Sequence, residues 1–217
     1  MATYETEEEQ VEALKKWWAD NGRAVMLGLL LGAALIVGWR FWGEYQRSHA
    51  EEASTLYESL IDGMGAESDP ATLLPIQSEL SRDYADTPYS SLAAMAMAKL
   101  YVSQADLKAA QRQLNGVLEN DDDQSVRQVA RLRLGRILLA LGEKEQALNV
   151  ATQPYAEAFL AEVEELKGDA LLALGRSDEA RSAYQQALSA PIAIGDRQGL
   201  QMKYDDLKGV VVADSQS

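Results

Sequence analysis

The sequence predicts an all-α chain: a single N-terminal transmembrane helix followed by an α-solenoid of antiparallel helix pairs. Three observations carry this expectation. The 217 residues hold five prolines and two phenylalanines against abundant Ala, Leu, Glu and Gln, a balance that favours helix over sheet. An uncharged run, AVMLGLLLGAALIVGW, extends from Ala24 to Trp39. Beyond it, the pentapeptide Leu-Leu-Ala-Leu-Gly stands at 138–142 and again at 171–175, an offset of 33 residues. A period of about 33–34 residues marks stacked helix–turn–helix units.

Before the apolar run, residues 5–20 (ETEEEQVEALKKWWAD) read as a short amphipathic helix. Val11, Leu14 and Trp18 fall on one face, and Glu12 can pair with Lys16 one turn on. Thr6 and Glu9 have the spacing of a capping box. Two roles stay open for this segment: a docking motif for a cytosolic partner, or an interfacial collar leading into the span.

The span itself is assigned to residues 23–42. Sixteen helical residues cover about 24 Å, and continuing to Trp42 brings the length to about 28 Å, close to a hydrocarbon core of about 30 Å. Arg23 and Arg40 sit at its ends, where long cationic side chains reach the headgroups. All four tryptophans, Trp17, Trp18, Trp39 and Trp42, bracket it like the aromatic belts of membrane proteins. Its Leu, Ile and Val residues favour insertion by roughly 2 to 5 kcal/mol. A cleaved signal peptide fits less well, because the leading segment is acidic and no A-x-A site follows the run. Gly28 and Gly32 form a G-x-x-x-G pair, a candidate face for close helix packing in the membrane. Lys15, Lys16 and Arg23 on one side outnumber Arg40 and Arg47 on the other, a bias toward a cytoplasmic N-terminus. The expected organisation is therefore a cytoplasmic tail (1–22), the span (23–42), a helical-repeat domain outside the cytoplasm (43–208) and a flexible tail (209–217).

In the repeats, Gly135 aligns with Gly168 and Ala147 with Ala180 at the 33-residue offset. Ala98 and Ala110 take the equivalent places in an upstream copy, once four extra residues around Asn120–Asp123 are allowed. Small residues let the two helices of a unit approach, and large ones fill the space between units, so each unit needs its neighbours for stability. Gly168, Leu171, Gly175, Ala180, Tyr184 and Ala187 resemble the tetratricopeptide (TPR) pattern at six positions in register. Gly135, Leu138, Gly142 and Ala147 match four, and Ala98, Tyr101, Ala110 and Leu114 match loosely. The second copy departs at Ala151 and Pro154. The domain is thus TPR-like, with two helices expected before the repeats (44–62 and 71–85). A closing helix is expected near 197–208, capped by Asp196 and buried through Leu200, Tyr204 and Leu207.

The TPR resemblance implies a partner groove lined by the first helices of the units: Met95, Lys99 and Val102, then Leu132, Arg136 and Leu139, then Glu165, Asp169 and Leu172. That surface is mixed, with an apolar part and an acidic end, and it lacks the Lys/Asn clamp for a peptide C-terminus. The alternative, that several of these residues pack against neighbouring helices, remains open.

Composition excludes much chemistry. Thirty-four acidic against twenty basic residues give a net charge of −14, which disfavours nucleic acid, whose phosphates select clustered Lys and Arg. There is no cysteine and one histidine, His49, so disulfides, thiolate sites and His₂ metal sites are ruled out, and His49 has no nearby constellation for a His-based triad. His49 is expected in an exposed linker. Asp121–Asp123 reads as a solvated loop rather than a calcium site, since the alternating ligands and central Gly of an EF-hand are missing. Glu162, Glu164 and Glu165 read as a solvated helix face. No enzyme activity and no cofactor are expected.

The order of parts is more specific than any one of them. Gln10-Val11-Glu12-Ala13-Leu14-Lys15-Lys16-Trp17-Trp18, then Asn21-Gly22, then a glycine-containing span ending Gly38-Trp39-Arg40-Phe41-Trp42, then an acidic TPR-like domain, resembles the YfgM family of ancillary SecYEG translocon subunits. The resemblance covers essentially the whole chain. It implies a single-pass inner-membrane protein with a cytoplasmic N-terminus and a periplasmic domain. It further implies a scaffold beside the SecYEG translocon, partnered by a PpiD-type membrane-anchored chaperone, other periplasmic chaperones and nascent secretory or outer-membrane proteins. A regulatory role of the cytoplasmic tail, through an Rcs-type stress regulator, is the alternative it implies.

Overall fold

The computed structural model describes residues 7–65, 68–190 and 197–214. Among them every regular element is helical. In chain order these are α1 (Glu7–Asp62), α2 (Pro70–Asp83), α3 (Pro88–Ser103), α4 (Leu107–Asn120), α5 (Gln124–Ala140), α6 (Lys144–Ala151), a 3₁₀ turn (Glu157–Phe159), α7 (Leu160–Ala173), α8 (Ser177–Ser189) and α9 (Arg197–Asp214). The all-α expectation holds. By internal contacts the chain divides into residues 1–52 and 53–217.

The first unit is helical throughout its described residues. The short helix, the span and the helix at 44–62 expected as separate pieces are one element, α1, because no proline interrupts the sequence and Asn21-Gly22 does not break it. Trp18 instead covers Gly22, whose added Cβ would meet the indole at 3.3 Å, and the Asn21 amide donates back to the Trp17 carbonyl at 3.0 Å. The apolar stretch is long enough to cross a membrane, and none of it is buried in the structure. Thr6, half of the expected capping box, lies outside the described residues. His49 is within the helix rather than in a linker, its ring stacked 5.8 Å from that of Tyr45.

The second unit is a chain of helix pairs in which each helix from α2 onward packs on the next, and α5 also reaches α7. Its first core joins Ala53 and Leu60 of α1 to Leu73 and Leu80 of α2 and to Ala93, Met97 and Leu100 of α3. The largest core runs from Ala98 and Leu114 through Ala130, Leu134 and Leu138 to Ala147 and Ala170. The last gathers Leu171, Ala180, Tyr184 and Ala187 with Leu200 and Leu207 of α9. All eight repeat-defining residues (Ala98, Ala110, Gly135, Ala147, Gly168, Ala180, Tyr184 and Ala187) are buried.

The repeat also shows in the backbone. Each turn between the helices of a pair closes with the same bond: Asp106 N–H to Tyr101 O at 2.9 Å, Glu143 N–H to Leu138 O at 2.8 Å and Arg176 N–H to Leu171 O at 2.9 Å. This is the six-residue closure of a Schellman motif, which needs a left-handed residue just before the donor. Gly142 and Gly175 supply it at φ 78°, whereas the first turn places Ala105 there at φ 61°.

Aspartates start three of the helices. Asp69 accepts from Ala71 N–H at 2.9 Å and Asp106 from Ala109 N–H at 2.9 Å. Asp123 accepts from both Ser125 and Val126 N–H at 2.7 and 3.2 Å. The acidic run at 121–123 is therefore a capping structure as well as a loop: Asp121 in turn accepts from Asp123 N–H at 2.7 Å. The departure seen in the second repeat has a structural counterpart, since α6 stops at Ala151, three residues before Pro154. Asp196 lies outside the described residues. α9 continues to Asp214, past Gly209 where a flexible tail was expected.

Candidate functional site

Two adjoining cavities of about 500 Å³ each are lined by α3 and α5, with the end of α1 joining the first and α4 joining the second. The first is lined by Tyr57, Ile61, Leu92 and Leu100 among others, the second by Val102, Leu107, Leu114 and Ile137. Met95, Lys99 and Arg133 line both, and Arg136 joins the second. Ile61, Leu92 and Val102 are among the few large apolar side chains of residues 53–217 that stay exposed. Exposed apolar surface in a hollow of this size is the usual mark of a binding site, whereas scattered exposed residues mark nothing. Helical repeats leave such a groove because their small residues draw the helices of a pair together and their large ones face the neighbouring unit.

The nine residues assigned to a groove from the sequence separate in the structure. Lys99, Val102, Arg136 and Leu172 are exposed. Met95 is buried but forms part of the floor of both cavities. Leu132 does not face a groove: at 7% exposure it packs with Ala151, Val163 and Leu166. Leu139 is half-buried against the same cluster. Glu165 and Asp169 are engaged by α9, whose Lys203 ammonium lies 2.9 Å from Glu165 and 2.8 Å from Asp169. The acidic end expected of the groove is thus partly neutralised by the closing helix, one ammonium against two carboxylates.

Asp169 also accepts from the Tyr184 hydroxyl at 2.8 Å, and the Lys203 ammonium stands 5.9 Å from the Tyr184 ring centre. Burial first, and then the bond to Asp169, holds the Tyr184 hydroxyl protonated far above the ordinary tyrosine range. For Lys203, burial favours the neutral form, but hydrogen bonds to Asp169 and Glu165 outweigh it and raise its pKa. Both effects tie α7, α8 and α9 together. Glu164 departs from the expected solvated face: it is 4% exposed, paired with Lys167 at 3.1 Å and within 3.3 Å of the Tyr155 hydroxyl.

Arg133 was not singled out from the sequence, and it stands at the centre of the cavities. It falls two residues before Gly135, where the other copies carry Ala96 and Leu166, so the repeat alignment alone flags it as the polar exception. On α1, Trp17, Trp18, Trp39 and Trp42 are all half or more exposed, and Arg23 and Arg40 are exposed as well. An added Cβ on Gly28 or Gly32 would meet nothing within 4 Å. Among the described residues no cluster of three or more His, Cys, Asp or Glu side chains has the geometry to hold a metal.

Comparison with known proteins places these features in context. A family model described as a tetratricopeptide repeat-like domain matches residues 15–209. The ancillary SecYEG translocon subunit of Escherichia coli (strain K12) is 31% identical over 207 residues, covering 95% of this chain and 99% of that one. The protein of the same name from Neisseria gonorrhoeae (strain FA 1090) is 29% identical over 96% of this chain and 100% of its own. That from Haemophilus influenzae (strain Rd) is 28% identical over 93% and 97%. No solved structure matches the chain.

Proposed function

The chain belongs to the tetratricopeptide repeat-like family of the ancillary SecYEG translocon subunits, and from that footing we propose that it is a non-enzymatic scaffold anchored in the bacterial inner membrane. One observation carries this reading: an unburied apolar stretch fit to cross a membrane and a helical-repeat body with an open apolar groove occur in a single chain. The anchor gives location. The groove gives contact with polypeptide partners, and tethering raises its effective concentration beside a channel, so modest affinity suffices.

In this reading residues 23–42 span the membrane with the N-terminus in the cytoplasm, and the repeat body works in the periplasm. The charge bias around the span supports that orientation. The partners are the SecYEG translocon, a PpiD-type chaperone and other periplasmic chaperones, together with secretory and outer-membrane proteins in transit. The acidity concentrated after the span disfavours lying against anionic lipid. Site-specific photo-crosslinking from Val102 and Leu172 in intact membranes tests the proposal. Adducts with translocon, chaperone or secretory chains are expected. Adducts with lipid alone would overturn a partner-binding groove.

A further inference from the structure

Neither cavity of the α1–α3–α5 groove is lined by a single Asp or Glu. In a chain carrying 34 acidic and 20 basic residues, that is against the background. The charged side chains that do line it are Lys99, Arg133 and Arg136. None of the three makes an ion pair or side-chain hydrogen bond among the described residues, although other cations of the repeat body, Lys108, Lys167, Arg176 and Lys203, each pair with a carboxylate. The groove therefore holds a positive charge that the protein itself leaves unneutralised, set in apolar walls that lower the local dielectric and strengthen any ion pair formed there.

The placement of the charge is as informative as its sign. Lys99 and Arg133 border both cavities, so they stand at the waist between two apolar hollows, with Met95 beneath them. A ligand that fits has a bulky apolar group on each side of a carboxylate. We infer that this groove binds a peptide segment of a partner polypeptide in which one or two Asp or Glu residues stand between two large apolar side chains. The apolar groups enter the hollows bordered by Leu92 and by Val102, and Arg133 receives the carboxylate. A planar guanidinium forms paired hydrogen bonds to a carboxylate that an ammonium does not match. Basic or wholly apolar segments are disfavoured, the first by repulsion and the second because the cations would be desolvated without a partner. The inference rests on the groove reading proposed above and adds the chemistry of its occupant.

The test uses the full chain in lipid nanodiscs and fluorescein-labelled, C-terminally amidated peptides. In these, a leucine and a phenylalanine are separated by one, two or three residues that include Glu. Each peptide is paired with a counterpart carrying Gln in place of Glu. Fluorescence anisotropy at low salt is expected to show at least one Glu peptide binding about tenfold more tightly than its Gln counterpart, the scale of a charge-assisted hydrogen bond. That preference is expected to vanish in the K99Q/R133Q/R136Q variant, whose helical content by circular dichroism should stay unchanged because the altered side chains make no internal ion pair or hydrogen bond among the described residues. It should also shrink as salt is raised. Equal binding of Glu and Gln peptides, or a preference that survives the triple substitution, overturns the inference. If both peptides then still lose binding in Val102→Asp, the groove reading stands without the carboxylate. If no peptide binds, the inference fails, and the crosslinking from Val102 described above decides the groove reading separately.

Discussion

The ring of Tyr184 fills the space that a side chain on Gly168 would need. A Cβ added to Gly168 would stand 2.5 Å from Cδ1 of that ring and 3.0 Å from Cζ. The ring is fully buried and held by its hydroxyl to Asp169, so it has nowhere to move. Gly168→Ala is expected to cost about 1–3 kcal/mol of stability as an overpacked core, although alanine favours a helix interior by about 1 kcal/mol. Gly116 on α4 has nothing within 4 Å of an added Cβ, so Gly116→Ala is expected to gain up to about 1 kcal/mol. Urea unfolding followed by far-ultraviolet circular dichroism reads both signs. A stabilised Gly168→Ala protein would contradict the packing described here.

Ala105 occupies a left-handed turn position that its counterparts Gly142 and Gly175 fill with glycine. An L-residue there costs roughly 1 kcal/mol. Ala105→Gly is expected to raise stability by about that much, because the three turns share one hydrogen-bond pattern and only the side chain differs. The reverse changes, Gly142→Ala and Gly175→Ala, should each lower stability. Thermal midpoints of the three variants settle the matter: a lower midpoint for Ala105→Gly would show that the methyl group contributes packing that outweighs the strain.

Asp123 accepts two backbone N–H groups at the start of α5, and α5 carries one lining wall of the groove. Asp123→Ala leaves both donors without that acceptor and is expected to cost about 0.5–2 kcal/mol. Asp123→Asn should cost much less, since the amide oxygen still accepts. Equal losses in the two variants would assign the effect to charge rather than to capping.

Alkali should loosen the C-terminal end of the stack. The pKa values of Tyr184 and Lys203 are both raised in the folded protein. Each therefore binds its proton more firmly folded than unfolded, and stability is fully retained below the unfolded values, about 10 for both groups. Above that pH the unfolded chain releases protons that the native state keeps, so stability falls as pH rises. Melting temperatures measured from pH 8 to 11.5 should hold steady and then decline from about pH 10. Tyr184→Phe is expected to make the decline shallower. An unchanged slope in that variant would remove Tyr184 from the linkage.

Much of this fold could be read before any coordinates, and the reasons are local. Small residues at fixed spacing have few uses other than close helix approach, so Ala110, Gly135, Gly168 and Ala180 announced the helix pairs, and all are buried. The groove was harder to read, because a repeat pattern says which face a residue is on but not what the next helix puts there. Asp169 is equivalent to Arg136 by the 33-residue offset, yet Lys203 from α9 covers one and nothing charged covers the other. Leu132 was lost to the groove for the same reason, as α6 and α7 close over it. Arg133 was missed because it holds none of the repeat-defining positions, and only its alignment with Ala96 and Leu166 marks it. The continuity of α1 was also hidden: hydropathy changes along a helix without ending it, and only a breaker such as proline would have marked an end.

The four tryptophans, all on α1 and all exposed, give the molecule an optical division of labour. Excited at 295 nm, the protein emits only from Trp17, Trp18, Trp39 and Trp42, so its colour and quenching report the surroundings of one helix. The repeats from Ala53 onward hold no tryptophan, so their unfolding is followed by far-ultraviolet circular dichroism instead. One chain thus carries a tryptophan signal confined to its anchor helix, beside the helical signal of the whole, with no label added. Insertion of the anchor and integrity of the stack can be watched in the same cuvette.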